Sequence, residues 1–78
     1  MEDLKNKLQF NQKLIGKKYY HYKSKNSVYQ IILISINENN LKILITYTDG
    51  NLIWTRTYYD FFAIIQYENN FINRFTEI

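Results

Sequence analysis

Short apolar runs separated by polar turns dominate the chain after residue 16. The run VYQIILISI (28–36) is dense in β-branched residues and apolar on both faces, which predicts a central, strongly curved strand. In LKILITYT (41–48) every second residue is apolar, so one face of a strand is predicted to be buried there. The segments KKYYHYK (17–23) and LIWTRT (52–57) also have strand composition.

Turn chemistry divides these predicted strands. Two polar segments, KSKNS (23–27) and NENN (37–40), are predicted to be turns, because asparagine tolerates the left-handed backbone region. Asp49-Gly50 is among the strongest hairpin signals, since a type I′ turn needs two positive φ angles. Near the C-terminal end, AIIQY and FINRF flank Glu68-Asn69-Asn70, which predicts another hairpin.

Two short helical elements are expected beside the strands. Residues 2–13 are polar and carry two leucines four residues apart, and the acidic residues at their start suit a helix N-terminus. Thr57 and Asp60 have the spacing of a helix cap, so residues 58–62 are predicted to form one helical turn.

Together these elements predict an all-β fold with a short N-terminal helix. We expect residues 1–78 to form a single domain, with a helical segment at 1–15 and a small five-stranded SH3-like barrel at 16–78. Closing such a sheet would also hide its edge strands. A chain this short is near the lower limit of independent stability, and we therefore expect a homo-oligomer.

Composition removes several classes of function. The chain has no Cys and one His, so we expect no disulfide framework, metal site or cofactor. A net charge of +3 suits an anionic ligand but is low for a duplex-DNA-binding protein. The longest apolar run, IILI (31–34), is too short to cross a bilayer, and residues 1–15 lack a signal-peptide core. We expect a cytoplasmic protein without a membrane partner, in the host cytoplasm if a phage encodes it.

An ordered set of aromatic and basic residues resembles a known family, the small bacterial and phage domain called domain of unknown function 1653. The resemblance runs from residue 16 to residue 75, but Ser24 replaces the family's Gly and Thr57 its Pro. It implies an SH3-like barrel and no established reaction. The matching residues are Tyr20, His21, Tyr22, Lys23, Tyr47, Asp49, Gly50, Trp54, Arg56, Phe61 or Phe62, Arg74 and Phe75.

Trp54 and Arg56 are the first candidates for a binding site. Two residues apart in a strand, they lie on one face, where an indole beside a guanidinium can stack on a planar ring and pair with phosphate. The structural alternative is that Trp54 is a core ring and Arg56 an edge residue with a buried stem. His21 is either a hydrogen-bond donor to a ligand or a packing residue.

We expect a protein that binds and does not catalyse, because no nucleophile, paired carboxylates or P-loop is recognisable. The leading hypothesis is that it binds a nucleotide-like or other anionic, planar small molecule, with sequestration of a signalling nucleotide in phage or bacterial immunity as the role. The alternatives are a protein- or RNA-interaction module and a structural oligomer subunit. The predicted ligand-binding residues are Trp54, Arg56, Tyr47, Tyr20, His21, Tyr22 and Lys23.

Overall fold

A computed structural model describes residues 2–78, whose strands form a five-stranded antiparallel sheet and a separate hairpin. Helix α1 (Glu2–Asn11) and a 3-10 turn (Gln12–Leu14) precede the sheet. The sheet has the strand order β4-β3-β2-β1-β7, whereas β5 and β6 pair only with each other. The remaining elements are β1 (Lys18–His21), β2 (Ser24–Ile36), β3 (Ile43–Thr48), β4 (Ile53–Thr57), α2 (Tyr58–Phe61), β5 (Ile64–Tyr67), β6 (Asn70–Asn73) and β7 (Phe75–Glu77).

The predicted all-β class with a short N-terminal helix is confirmed. The helical turn at α2 also begins as expected, because the Asp60 backbone N–H donates to Thr57 Oγ1 over 3.1 Å. Neither α-helix of the described chain has the length and apolarity that a bilayer span requires.

Strand β2 is longer than predicted. Residues 23–27 were predicted to be a turn, but β2 begins at Ser24 and only Tyr22 and Lys23 separate it from β1. The polar residues at its start extend the strand because pairing with β1 outweighs their weak strand propensity. The first half of β2 pairs with β1 and the second with β3, with irregularities in both ladders that bend the sheet.

The sheet is strongly curled but does not close into the predicted barrel. Arg56 on β4 has its guanidinium carbon 6.0 Å from the centroid of the Phe75 ring on β7. In a flat sheet these two edge strands would lie four strand spacings, about 19 Å, apart. Within residues 2–78 no backbone ladder joins β4 to β7, and the two edges remain apart.

The type I′ turn lies in the C-terminal hairpin and not at Asp49-Gly50, where it was predicted. Asp49-Gly50 belongs to a four-residue loop in which only Gly50 has positive φ (96°), so it is not the predicted type I′ turn. The Asp49 carboxylate instead accepts the backbone N–H groups of Leu52 and Asn51, which lower its pKa. The type I′ turn lies at Glu68-Asn69, where both φ angles are positive (51° and 68°).

An aromatic cluster forms much of the core. The rings of Phe61 and Phe75 stack with centroids 4.1 Å apart, and Tyr19 and Tyr47 meet Phe61 edge-on at 5.1 and 5.2 Å. Phe61 is fully buried, and three isoleucines complete the core. These are Ile31, Ile34 and Ile45.

Candidate functional site

Trp54 and Arg56 lie on the concave face of the curled sheet. Trp54 pairs with Tyr47 across the β3–β4 ladder, and Arg56 pairs with Ile45. Directly paired residues share a face, and both β3 partners are buried in the core. The Trp54 side chain nevertheless remains 43% exposed, because β4 is an edge strand. Trp54 is therefore not a core ring, and of the two sequence-based interpretations the exposed platform fits better.

A cleft of about 210 Å³ occupies the gap that barrel closure would have filled. It lies between the concave face of β4 and the β1–β7 side of the sheet. Four of the seven predicted site residues line it, although they come from three different strands or strand ends. The lining consists of His21, Tyr29, Tyr47, Trp54, Arg56 and Phe75.

Arg56 brings a positive charge into this cleft without a protein counter-charge. Its Nε donates to the Tyr47 hydroxyl over 3.0 Å, and among the side chains of residues 3–78 this is its only hydrogen bond. The ion pair found among the described side chains joins Lys17 to Glu77 and does not involve Arg56. Both terminal nitrogens of the guanidinium group are thus free to form a paired contact with an anion.

His21 is held in a neutral, oriented form at the opposite wall. Its Nδ1 accepts the Lys23 backbone N–H over 3.1 Å, so the ring proton of the neutral imidazole lies on Nε2. Burial lowers the pKa of His21, and the positive charges of Arg56, Arg74 and Lys23 lower it further. At neutral pH the imidazole can therefore offer the cleft one N–H donor. The charged groups that act on His21 are all positive, which favours an anion on this side of Arg56.

Three of the predicted site residues do not line the cleft. Tyr20 follows the buried Tyr19 in β1 and points to the opposite face of the sheet. The Tyr22 ring packs on the His21 ring, with centroids 4.6 Å apart, and Lys23 supports His21 through its backbone N–H. Tyr22 and Lys23 thus position a cleft residue, while a direct role for any of the three in binding stays a prediction.

Tyr29 and Phe75 line the cleft but were not among the predicted site residues. Tyr29 meets both Tyr47 and Phe75 edge-on, with centroids 5.9 and 5.7 Å apart, and so forms the floor between them. Phe75 belongs to the Arg-Phe pair of the family resemblance, which was a usable signal. Tyr29 had no such signal, because it lies in a run that is apolar on both faces.

A second, more open cleft adjoins the first on the other side of Trp54 and Arg56. Its volume is about 390 Å³, and it shares Tyr47, Trp54 and Arg56 with the smaller cleft. Asp60 at the start of α2 also lines it. The indole and the guanidinium therefore form a ridge that is accessible from both sides.

A third cleft lies away from this ridge, between α1, the β2–β3 turn and α2. Its volume is about 330 Å³, and Phe10, Leu41 and Tyr59 give it a largely apolar wall. None of the predicted site residues lines it. Lys7 and Lys42 line it, but it has no guanidinium group for a paired contact with an anion, so we take the ridge of Trp54 and Arg56 as the candidate site.

Comparison with known proteins gave one kind of match, to a family model. A family model described as "Protein of unknown function (DUF1653)" matches residues 17–77. Searches of curated proteins and of solved structures gave no match. The matched range runs from β1 to β7 and so includes every residue that lines the smaller cleft.

Proposed function

The chain belongs to the DUF1653 family, as the resemblance predicted, and since that family carries no assigned activity we propose a function from the chemistry of the cleft. We propose that the protein is a non-enzymatic binding module for an anionic, planar small molecule, with nucleotide-like molecules as the leading class. Trp54 provides the stacking surface, Arg56 binds the anionic group, and His21 and Tyr47 line the space between them.

The observation that carries this proposal is the unpaired guanidinium beside an exposed indole. Among the side chains that the structure describes, those of residues 3–78, Arg56 has no carboxylate partner, and its hydrogen bond to Tyr47 fixes the group through Nε. A guanidinium held in this way presents its two terminal nitrogens together, which matches a phosphate or carboxylate. The neighbouring Trp54 face suits a planar ring.

The dimensions of the two clefts support a ligand that spans the ridge. The smaller cleft, about 210 Å³, falls below the range of roughly 300–1,000 Å³ that is usual for ligand pockets. The adjoining cleft brings the combined space into that range. A planar ring in one cleft and an anionic group at Arg56 would use both.

A binding role fits the lining better than catalysis does. His21 lines only the smaller cleft, which has no Ser, Thr, Asp or Glu, whereas Thr55, Thr57 and Asp60 line the adjoining cleft, so His21 has no nucleophile to activate and no carboxylate to orient it in its own cleft. In a phage or bacterial cell, such a module could serve to sequester a signalling nucleotide. The rival function is a protein- or RNA-interaction module, which the exposed Leu52 and Ile53 beside the ridge favour.

The single tryptophan makes the test direct, because Trp54 fluorescence reports on the cleft alone. We expect AMP to quench this fluorescence at lower concentration than adenosine, which lacks the phosphate. Arg56→Gln should weaken AMP binding by about 10-fold or more, since charged hydrogen bonds contribute roughly 1.5–3 kcal/mol. Lys25→Gln removes the same charge from an exposed residue of β2 and should leave AMP binding unchanged.

Two outcomes would contradict the proposal. Equal affinities for AMP and adenosine would show that no anion is recognised, and unchanged binding by Arg56→Gln would exclude the ridge as the site. Mass spectrometry of the extract from denatured protein identifies a ligand that co-purifies. A preference for a short RNA oligonucleotide over every mononucleotide would favour the rival function.

A further inference from the structure

Strand β4 is an unprotected edge of the main sheet. Natural edge strands are usually guarded by lysine, proline or a bulge, since their free backbone groups invite another strand to pair. The sequence of β4, IWTRT, contains no Lys or Pro, and its ladder with β3 runs without a bulge. Its one charged residue, Arg56, is bonded to Tyr47 on the concave face and so does not project from the outer side of the strand. Ile53 is 68% exposed at its start. The outer side of strand β4 therefore has the properties of a surface on which another strand can pair.

The other edge of the sheet differs. Strand β7 has only three residues, and its Glu77 carboxylate forms an ion pair with Lys17 over 3.2 Å. A short strand that carries a charge at its end is a poor template for pairing. Of the two edges, β4 is thus the one suited to receive another strand.

We propose that β4 pairs antiparallel with β4 of a second copy of this chain, about a two-fold axis through Thr55. This inference does not depend on the proposed ligand. In that register Thr55 faces its own copy, Ile53 faces the partner subunit's Thr57, and Trp54 faces the partner subunit's Arg56. Because β4 has five residues with Thr55 at the centre, every residue of the strand is paired.

The chemistry of the strand selects this register over its neighbours. A two-fold axis at Arg56 would place two guanidinium groups opposite each other, and like charges in that position are destabilising. An axis at Trp54 would leave Thr57 unpaired. The axis at Thr55 instead places each Trp54 opposite the partner subunit's Arg56, so that no two like charges face each other.

This pairing would also complete the ridge. Trp54 and Arg56 point to the concave face, so the partner's indole and guanidinium would extend each subunit's cleft across the interface. The partner copy therefore contributes residues to the candidate site.

Cysteine cross-linking tests the axis, because the chain has no cysteine of its own. Residues that face each other across an antiparallel pair have Cβ atoms about 4.5–5.5 Å apart. We expect Thr55→Cys to be joined to a second copy by a short bismaleimide in most chains. Thr76→Cys is the matched control, since Thr76 is the central residue of the other edge strand. It should show only background cross-linking.

Light scattering on the unmodified chain and on two lysine variants provides an independent measurement. Thr55→Lys places two ammonium groups at the axis and should weaken dimerisation about 10-fold or more. Thr76→Lys should have no effect. A monomer at concentrations up to about 1 mM, where even a weak dimer forms, would overturn the proposal. So would equal cross-linking of Thr55→Cys and Thr76→Cys, or a dimer that Thr55→Lys leaves intact.

Discussion

Truncation of Trp54 to alanine tests whether the indole forms part of the cleft or of the core. Phe61→Ala is the matched comparison, because Phe61 is a fully buried ring on the same side of the sheet. Both changes remove an aromatic side chain. They differ in how much of that side chain the fold shields from water.

The expected magnitudes follow from this difference. Truncation of a fully buried aromatic ring usually costs about 3–5 kcal/mol, because a cavity remains. Trp54 is 43% exposed, so its truncation removes little more than half of the buried area that a fully enclosed indole would lose. Water can also enter the space that the ring leaves. We therefore expect Trp54→Ala to lower the free energy of unfolding by roughly 1.5–3 kcal/mol. A domain of this size is stable by about 4–12 kcal/mol, so this variant should remain folded.

Urea denaturation followed by far-UV circular dichroism measures both changes, since Trp54→Ala removes the fluorescent residue. Trp54→Phe serves as a control that keeps a ring at the same place. If Trp54→Ala costs as much as Phe61→Ala, the indole is a core element and the platform interpretation is wrong. A small cost combined with loss of AMP binding would support it.

Three further predictions concern neighbouring residues. Arg56→Lys and Tyr47→Phe each remove the hydrogen bond between these two side chains, so their effects on the free energy of unfolding should be coupled by about 0.5–1.5 kcal/mol. Urea denaturation of the two single variants and the double variant measures this coupling, and additive effects would contradict the bond. Gly50→Val should cost about 1 kcal/mol or more in a thermal melt, since a Cβ there meets no atom within 4 Å and the cost is that of positive φ alone; an unchanged melt would refute this. Because the pKa of His21 is lowered on folding, its contribution to stability is complete above pH about 6.5 and declines as pH falls below that value. NMR titration of the ring should show the lowered pKa, and His21→Gln should remove this part of the pH dependence.

Local signals were sufficient for much of the fold. The alternation in residues 41–48 and the cap formed by Thr57 lead directly to β3 and α2. Glu68-Asn69 was recognised as a hairpin, although its type I′ geometry was assigned to Asp49-Gly50 instead. Asp49-Gly50 does not adopt type I′ geometry because the Asp49 carboxylate accepts two backbone N–H groups and so stabilises a longer loop.

Non-local contacts explain what the sequence did not predict. The pattern predicts one strand over FINRF, but the structure divides it at Arg74. The backbone N–H of Arg74 donates to the Ala63 carbonyl, and the Tyr22 N–H donates to the Arg74 carbonyl. These contacts join the β5–β6 hairpin to the end of β1 and interrupt the ladder. No pattern within a window of a few residues contains that information.

The candidate site divides in the same way. Trp54 and Arg56 could be predicted together because strand alternation places them on one face, and Tyr47 lies opposite in the adjacent strand. Phe75 and Tyr29 join them only because the sheet curls, which brings β7 within reach of β4. The degree of curling depends on irregularities in the β2 ladders, which the sequence does not mark with glycine or proline.

The charge of Arg56 gives a physical reason for the open gap between β4 and β7. If β4 and β7 paired and closed the barrel, the Arg56 guanidinium would be enclosed with the Tyr47 hydroxyl as its only partner. An enclosed cation without a counter-charge costs several kcal/mol, which is more than a few backbone hydrogen bonds on a three-residue strand return. Leaving the sheet open keeps the two terminal nitrogens of Arg56 in contact with water. Under the proposed function an anionic ligand would replace that water, so the side chain whose charge disfavours closure is also the one that we expect to bind the ligand.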